Sequence, residues 1–325
     1  PFGLAALLEL TGPVNVSGWS TPIDSSNAVD VTLSQAYAFF EATPERAEFL
    51  GDVAQVVVDE ATSGGLGRPA QVARVLGGAA HEGHLILSFA RPDEQQLAVD
   101  LGVAGRVAPV RSDAVAVTTS NSGANKIDYY LQRNVNYRVR LDPAAGGRQA
   151  YASSRLTVEL DNQAPNQGLP QIVIGPYLPG LYQAGENRAY FSMYSPLALQ
   201  AGTLDGNPLA VTPGRERGRN VYSFVANVPA RSTQILSADF AGPVQFERGG
   251  WYDLDVGHQP TVHPDRLGVS VEVPEGWRIA EAPGLHRESP RLVSMTGIQP
   301  EQRLVRVRVV PASSPWDLWD RLQDG

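Results

Sequence analysis

From about Asn134 onward, the apolar residues of this chain return at every second position. Tyr137-Arg138-Val139-Arg140-Leu141 and Leu156-Thr157-Val158-Glu159-Leu160 are the clearest runs, and Val221 to Val225, Val269 to Val273 and Leu304 to Val309 repeat the pattern. Successive side chains of a strand point to opposite faces, so each run buries one face and wets the other. Half-solvated antiparallel strands have this signature. Turn signals separate the runs at Gly146-Gly147, Asp205-Gly206-Asn207, Gly249-Gly250 and Pro274-Glu275-Gly276. Strands and turns in this rhythm predict a β-sandwich.

Upstream the texture differs. Leu4 to Leu10 reads as a short helix stopped by Gly12-Pro13, with a strand starting at Val14 and Val16. Thr32 to Glu41 is expected to be helical. Thr43 before Pro44 reads as a hydroxyl N-cap followed by proline in the first turn, with Phe49, Val53, Val56 and Val57 at helical spacing. Pro69 and Pro92 open two more helices, His84 to Ala90 reads as an apolar strand, and Ala114 to Thr118 as another. At 325 residues and 42% hydrophobic content the chain is long enough for two ordinary domains. The expected class is α+β. It has an N-terminal α/β domain (residues 1–135) and an antiparallel β-sandwich (136–257). A β-rich continuation or second small β unit (258–311) and a linker with a short helical tail around Trp316 to Leu322 (312–325) complete it.

A net charge of −8 argues against a broad basic surface for nucleic acid. Zero cysteine removes disulfides, thiolate metal sites and a cysteine nucleophile, and suits an exported protein. No run of about 18 apolar residues is present to span a bilayer. The apolar opening Pro1-Phe2-Gly3-Leu4 starts as though inside an element, so a preceding signal or anchor is expected.

Phosphate-loop, nucleophile-elbow and zinc-helix motifs are missing. His81-Glu82-Gly83-His84 mimics a metal pair, but Gly83 interrupts it and a third ligand is not evident. His258, His263 and His286 lie among loops and are expected to be solvated. One lysine stands among the 26 basic residues, in Ser120-Asn121-Ser122-Gly123-Ala124-Asn125-Lys126-Ile127-Asp128. Such a turn can present backbone N–H groups as an anion nest, with Lys126 on the same anion and Asp128 holding Lys126 or a metal. The alternative is an ordinary polar loop that buries Asn side chains to tie two domains together. Arg46, at the start of its helix, and Asp52 complete the candidate ligand-binding set of Lys126, Asn121, Asn125, Asp128, Arg46 and Asp52. Arg138, Arg140, Arg155, Arg306 and Arg308 occupy alternating strand positions. They read either as a solvated face laced with carboxylates or as a patch for acidic glycans or phosphate polymers.

Several segments carry a resemblance: Leu7-Leu8-Glu9-Leu10-Thr11-Gly12-Pro13-Val14, Arg46-Ala47-Glu48-Phe49-Leu50, Glu82-Gly83-His84-Leu85 and Glu94-Gln95-Gln96-Leu97. The most specific is Gly123-Ala124-Asn125-Lys126-Ile127-Asp128-Tyr129-Tyr130-Leu131 with Arg133 and Tyr137, followed by Leu160-Asp161-Asn162-Gln163-Ala164-Pro165. Together they resemble a family of domains of unknown function in membrane-anchored cell-envelope proteins, especially of actinobacteria. The resemblance implies an extracytoplasmic domain behind an N-terminal transmembrane anchor and supplies no activity. The N-terminal half is also similar to LytR-CpsA-Psr proteins, ligases of wall glycopolymers that use polyprenyl-pyrophosphate donors. Arg46 and Asp52 match part of their arginine and acidic motif, and the paired upstream arginines are missing.

The expected function is therefore a non-catalytic module of the cell envelope, without cofactor, that binds wall glycopolymer or an envelope protein. No nucleic acid is expected as partner, and the membrane only through the preceding anchor. One alternative is a LytR-CpsA-Psr-like phosphotransferase. There Lys126 and Arg46 neutralise pyrophosphate and Asp52 or Asp128 holds magnesium. Another is a structural subunit of a surface assembly, with Lys126 cross-linked to Asn or Asp.

Overall fold

The computed structural model describes residues 1–40, 42–105 and 109–313. The expected helical tail lies outside the described residues. The molecule is α+β. Its N-terminal part is a helical layer: α1 (Phe2–Thr11), α2 (Ala28–Asp30), α3 (Ala36–Phe39), α4 (Thr43–Ser63), α5 (Pro69–His81) and α6 (Pro92–Asp100). A π-helical stretch, Val31–Gln35, joins α2 to α3. Pro44, Pro69 and Pro92 sit in first turns, where the missing N–H costs nothing and the fixed φ suits a helix. In α4, Phe49, Val53 and Val57 form one buried stripe. They pack on Leu8, Ile23 and Val31 in a small core of their own.

The rest is a large sandwich. Its strands are β1 (Asp113–Asn121), β2 (Leu131–Pro143), β3 (Gln149–Asn162), β4 (Asn187–Ser195) and β5 (Ala198–Leu204). They continue as β6 (Asn207–Pro208), β7 (Thr212–Glu216), β8 (Arg219–Val228), β9 (Ser232–Gln245) and β10 (Trp251–Val256). The last are β11 (Asp265–Glu272), β12 (Trp277–Glu281), β13 (His286–Ser289), β14 (Leu292–Gln299) and β15 (Arg303–Pro311). A helical turn, α7 (Gln171–Ile174), interrupts the connection from β3 to β4. Seven strands form one sheet in the order β12-β15-β10-β1-β4-β8-β7, and eight form the other in the order β13-β14-β11-β2-β3-β9-β5-β6.

The period-two pattern explains the core. Along β2, Leu131, Val135, Tyr137, Val139 and Leu141 are buried while their neighbours face out. They meet Phe191, Met193, Phe240, Tyr252 and Val307 between the sheets. A buried side chain of this size contributes roughly 1.5–3 kcal/mol.

Not every pair is antiparallel: β1 lies parallel to β10, and β2 parallel to β11. The two-strand unit β1–β2 crosses from one sheet to the other, and β10–β11 crosses beside it in the same direction. Strands after Gly257 therefore continue the same two sheets. Residue 135 falls within β2, so the sheet runs through the expected boundary.

Three local expectations need correction. Val14 makes one isolated bridge to Ile23 instead of opening a strand. His84 to Ala90 is extended but pairs with no strand: the amides of His84 and Leu85 donate to Ala79 O at 2.8 and 3.1 Å, and that of Leu87 to Val103 O at 3.0 Å. Its apolar side chains Leu85 and Leu87 instead pack on Ala80, Ala98 and Val103. Thr43 does not cap α4: it is the first residue of the helix, with Ala42 at the cap position, and its hydroxyl accepts from Arg46 Nη2 at 3.1 Å.

Candidate functional site

The lysine loop follows β1 and ends in a turn of 3-10 helix, Ile127–Tyr130, that leads into β2. Fully buried Ile127 anchors it. Asn121 Nδ2 donates to Asn125 Oδ1 at 2.8 Å, and Asn121 Oδ1 accepts from the Gly123 amide at 2.8 Å. Asn125 Nδ2 reaches the Glu186 carbonyl at 3.4 Å. Buried Tyr182 accepts from the Tyr177 amide at 2.7 Å and donates to the Gly123 carbonyl. The loop's amides are also engaged: Ser122 N–H donates to Arg188 O at 2.8 Å and Lys126 N–H to Val173 O at 3.1 Å. The amides of Ser122, Gly123 and Lys126 are thus closed to an anion. The Asn side chains tie β1 to the segment before β4.

Lys126 itself is exposed, with Nζ 5.8 Å from the Tyr37 ring centroid. Arg46 lies over the same ring at 4.9 Å, and it is buried. Its guanidinium donates to Phe40 O at 3.0 Å and to Thr43 Oγ1, so it locks the end of α3 to the start of α4. Asp128 accepts from Asn187 Nδ2 at 2.7 Å and from Asn121 Nδ2 at 3.3 Å. Its residue surface is open, yet the crowded neighbourhood of the carboxyl sheds water. That desolvation raises its pKa, against the two amide donors and the charges of Lys126 and Arg133. The structure thus brings Lys126, Asn121, Asn125 and Asp128 together, with Arg46 behind Tyr37.

Asp52 is not among them. Six positions beyond Arg46 on one helix place it about 240° around the axis, and it is exposed. Lys126, Arg46 and Asp52 do not face a common cavity.

Substitution tests these roles. Asn125→Ala is expected to destabilise the fold by about 1–3 kcal/mol, because it leaves the Glu186 carbonyl without its donor and Asn121 Nδ2 without its nearest acceptor. Lys126→Ala should stay within about 0.5 kcal/mol of wild type in urea denaturation. Equal costs would contradict the division between structural asparagine and free lysine.

The histidines sort differently from expectation. His81 Nδ1 lies 2.9 Å from Gly77 O within its helix, whereas His84 stacks on Phe2 with centroids 4.1 Å apart. They do not converge, and among the described residues no group of three or more metal-ligating side chains forms. His263 is partly buried, 2.9 Å from Tyr129 O, and His258 is partly buried too.

The five-arginine patch is divided. Arg306 and Arg308 belong to the seven-stranded sheet, where Arg306 pairs with Asp253 at 2.9 Å and lies over Trp251. The other three line a trough of about 820 Å³ on the outer face of the eight-stranded sheet. Register builds its floor. One row across the strands reads Ser294, Ser270, Arg138, Arg155, Asp239. The next holds Glu272, Arg140 and Ser153. Small side chains make the depth: a Cβ on Gly268 would lie 2.2 Å from Asn136 Oδ1.

Charge in the trough is mixed. Arg155 forms a bidentate pair with Asp239 at 2.7 and 2.9 Å, and Arg140 approaches Asp142 at 3.3 Å and Glu272 at 3.9 Å. Arg138 has no carboxylate within 4.0 Å among the described residues, although it stands directly opposite Arg155. Like charges opposite each other on one face are destabilising by roughly 0.2–1 kcal/mol. Sequence spacing revealed that Arg138 and Arg140 share a face. That Arg138 meets Arg155 depends on register, which spacing does not carry.

No protein-family model matches the chain, and no curated protein matches it. Among solved structures, a candidate nutrient-binding protein from Legionella pneumophila aligns with a TM-score of 0.36 at 8% identity. That alignment covers 62% of this chain and 71% of the other. An M1 zinc metallopeptidase from Deinococcus radiodurans gives 0.28 at 14% identity, over 55% of this chain and 42% of the enzyme. Leukotriene A4 hydrolase from Saccharomyces cerevisiae gives 0.30 at 12% identity, over 57% of this chain and 30% of the enzyme. The aligned region thus spans less than half the length of either enzyme. At these scores the likenesses carry no inference about activity.

Proposed function

We propose that this chain is a non-catalytic binding module of the cell envelope, outside the membrane, that seats an extended anionic wall polymer in the trough of the eight-stranded sheet. One observation carries the reading: among the described residues Arg138 has no carboxylate within 4.0 Å, and it stands on the trough floor beside Arg155. Asp239 already holds the Arg155 guanidinium, which leaves Arg138 as the trough cation open to an anionic group. Guanidinium is the cation best matched to phosphate or carboxylate, through its planar fork of donors. Consecutive rows lie two residues apart along each strand, about 6.7 Å, so they offer polar groups at the spacing of a polymer's repeating units. Ser153, Ser270 and Ser294 add hydroxyls that hydrogen-bond to sugar or polyol. The extracytoplasmic setting is supported by the resemblance carried by the lysine loop.

The test is titration of poly(glycerol phosphate) and of neutral dextran into wild type and Arg138→Ala. The phosphate polymer should bind wild type, weaken with salt, and lose about tenfold in affinity in the variant. Dextran should bind neither protein comparably. The variant should unfold within about 0.5 kcal/mol of wild type, or be slightly more stable, since a like-charge contact is gone. Undiminished binding by Arg138→Ala would end the proposal.

A further inference from the structure

Leu178-Pro179-Gly180-Leu181, in the connection from α7 to β4, is a type II β-turn. Proline pre-sets the second position and Gly180 takes the positive φ of the third, at 85°. Leu181 N–H closes the turn on Leu178 O at 3.1 Å, so a leucine stands at each end. Buried Tyr182 fixes the base, its hydroxyl accepting from the Tyr177 amide. Asn227 of β8 fixes the side by donating to Leu181 O at 2.9 Å.

Asn227 joins the turn to the outer face of the seven-stranded sheet. Phe191, Phe224 and Ala226 point into the core, so the alternate residues Arg188, Tyr190, Val225 and Asn227 point out. Register sets Tyr190 directly opposite Val225, and Arg188 opposite Asn227. Tyr177, Leu178, Leu181, Tyr190 and Val225 are each 41–52% exposed. Contiguous apolar surface marks an interaction site, whereas single exposed apolar residues do not. The charge here is one-sided in a chain of net charge −8. Arg188 Nη1 donates to Asn227 Oδ1 at 3.4 Å. Arg231 is exposed in the turn after β8, which Asn162 Nδ2 ties to the same connection through Pro229 O at 3.2 Å and Gly185 O at 2.8 Å. Neither arginine has a carboxylate within 4.0 Å among the described residues.

We propose that this surface rests on an anionic lipid bilayer. The two leucines and Val225 enter the interfacial region, Tyr177 and Tyr190 lie at headgroup level, and Arg188 and Arg231 meet lipid phosphate. Attachment of this kind scales with the apolar area buried plus the attraction of cations to anionic lipid. Tyrosine suits the boundary because its ring is apolar and its hydroxyl polar. The turn is preformed, so contact costs little conformational entropy. A second copy of the chain fits less well. An isologous contact sets the patch against itself, and the patch holds no carboxylate for its arginines. The trough lies on the outer face of the other sheet, so a chain seated this way turns its polymer face from the membrane. The lipid proposal does not rest on the polymer reading.

Flotation with phosphatidylcholine vesicles, with and without phosphatidylglycerol, is the test. Wild type should bind the phosphatidylglycerol vesicles, and salt should weaken the binding. Leu178→Ser combined with Leu181→Ser should reduce partition about tenfold, since two half-exposed leucines leave the lipid. That variant should unfold in urea as wild type does, because both side chains are at the surface. Arg188→Gln should weaken binding to the anionic vesicles about fivefold and leave phosphatidylcholine vesicles unaffected. Leu181→Trp should add fluorescence that acyl-brominated lipid quenches. Absent binding to anionic vesicles, binding that the leucine variant retains, or binding lost instead in Arg138→Ala would each overturn the proposal. So would wild-type dimers that the leucine variant dissociates, because the patch would then join two copies.

Discussion

Arg133→Met is expected to destabilise the protein by about 3–5 kcal/mol, the largest effect of any single polar substitution considered for this fold. Arg133 occupies an inward position of β2 where the alternation calls for an apolar residue. Its side chain is 1% exposed and grips Asp265 through Nε at 2.7 Å and Nη2 at 2.9 Å. Nη1 reaches across to Gln259 Oε1 at 2.8 Å and Thr119 Oγ1 at 3.1 Å, so one guanidinium fastens both sheets at that end of the sandwich. Methionine fills similar volume and leaves the Asp265 carboxylate buried without its cation. The cost comes from that stranded charge more than from the lost attraction. Arg133→Met combined with Asp265→Leu should therefore recover most of the loss. Urea denaturation of the two single variants and the double variant measures the coupling. A cost below about 1 kcal/mol for Arg133→Met would show that Asp265 takes up water or a proton instead.

The second large effect is one of pH. Asp113 is fully buried between the sheets, where it accepts from Tyr252 Oη at 2.7 Å, Tyr137 Oη at 3.0 Å and the Ala114 amide at 2.7 Å. Tyr137 Oη also lies 2.8 Å from Ser154 Oγ. Desolvation pushes the Asp113 carboxyl up to about 6, against the pull of these three donors. Both tyrosines are held well above their ordinary range, first by burial and then by the Asp113 charge, so they remain donors. The native carboxyl thus holds its proton more tightly than the unfolded chain does, whose value is 3.8. Folding takes up a proton between these values. The resulting stability is complete below the unfolded pKa and lost as pH rises through about 6. The difference corresponds to about 3 kcal/mol. Asp113→Asn cannot titrate, so its stability relative to wild type isolates the effect. From acid to pH 7.5 the gap should shift toward the variant by about that amount. A flat gap would mean the tyrosine donors keep the carboxylate charged throughout.

Local signals made much of this fold legible. The alternation along β2 and β3 is the burial pattern itself, and Pro44, Pro69 and Pro92 mark real helix starts. His84 to Ala90 misled because a short apolar run looks alike whether it pairs in a sheet or packs as bare extended chain. The lysine loop was legible as a turn, from its Asn and Gly residues. A tie through buried Asn side chains was one of its two readings, but its partners were not legible, because Arg188, Val173, Glu186 and Asn187 approach it from distant parts of the chain. The burial of Asp255, and in part of His258, gave no signal at all. An aspartate on an outward strand position reads as solvated until a helical layer is found covering it. Of the candidate set, Lys126, Asn121, Asn125 and Asp128 are neighbours because they share one loop, whereas Arg46 and Asp52 lie about 240° apart around one helix.

The parallel pairing of β1 with β10 and of β2 with β11 also bears on how the molecule is made. Asp113 must wait for Leu254, about 140 residues later, before its ladder closes. Val135 waits as long for Leu267. Until that late stretch emerges, both sheets expose an unpaired edge through their middle, and such edges recruit strands from other chains. The earlier strands can zip as local hairpins, but the sandwich has no finished half. Its assembly is therefore gated by the strands from β10 onward, and neither sheet closes before they are made.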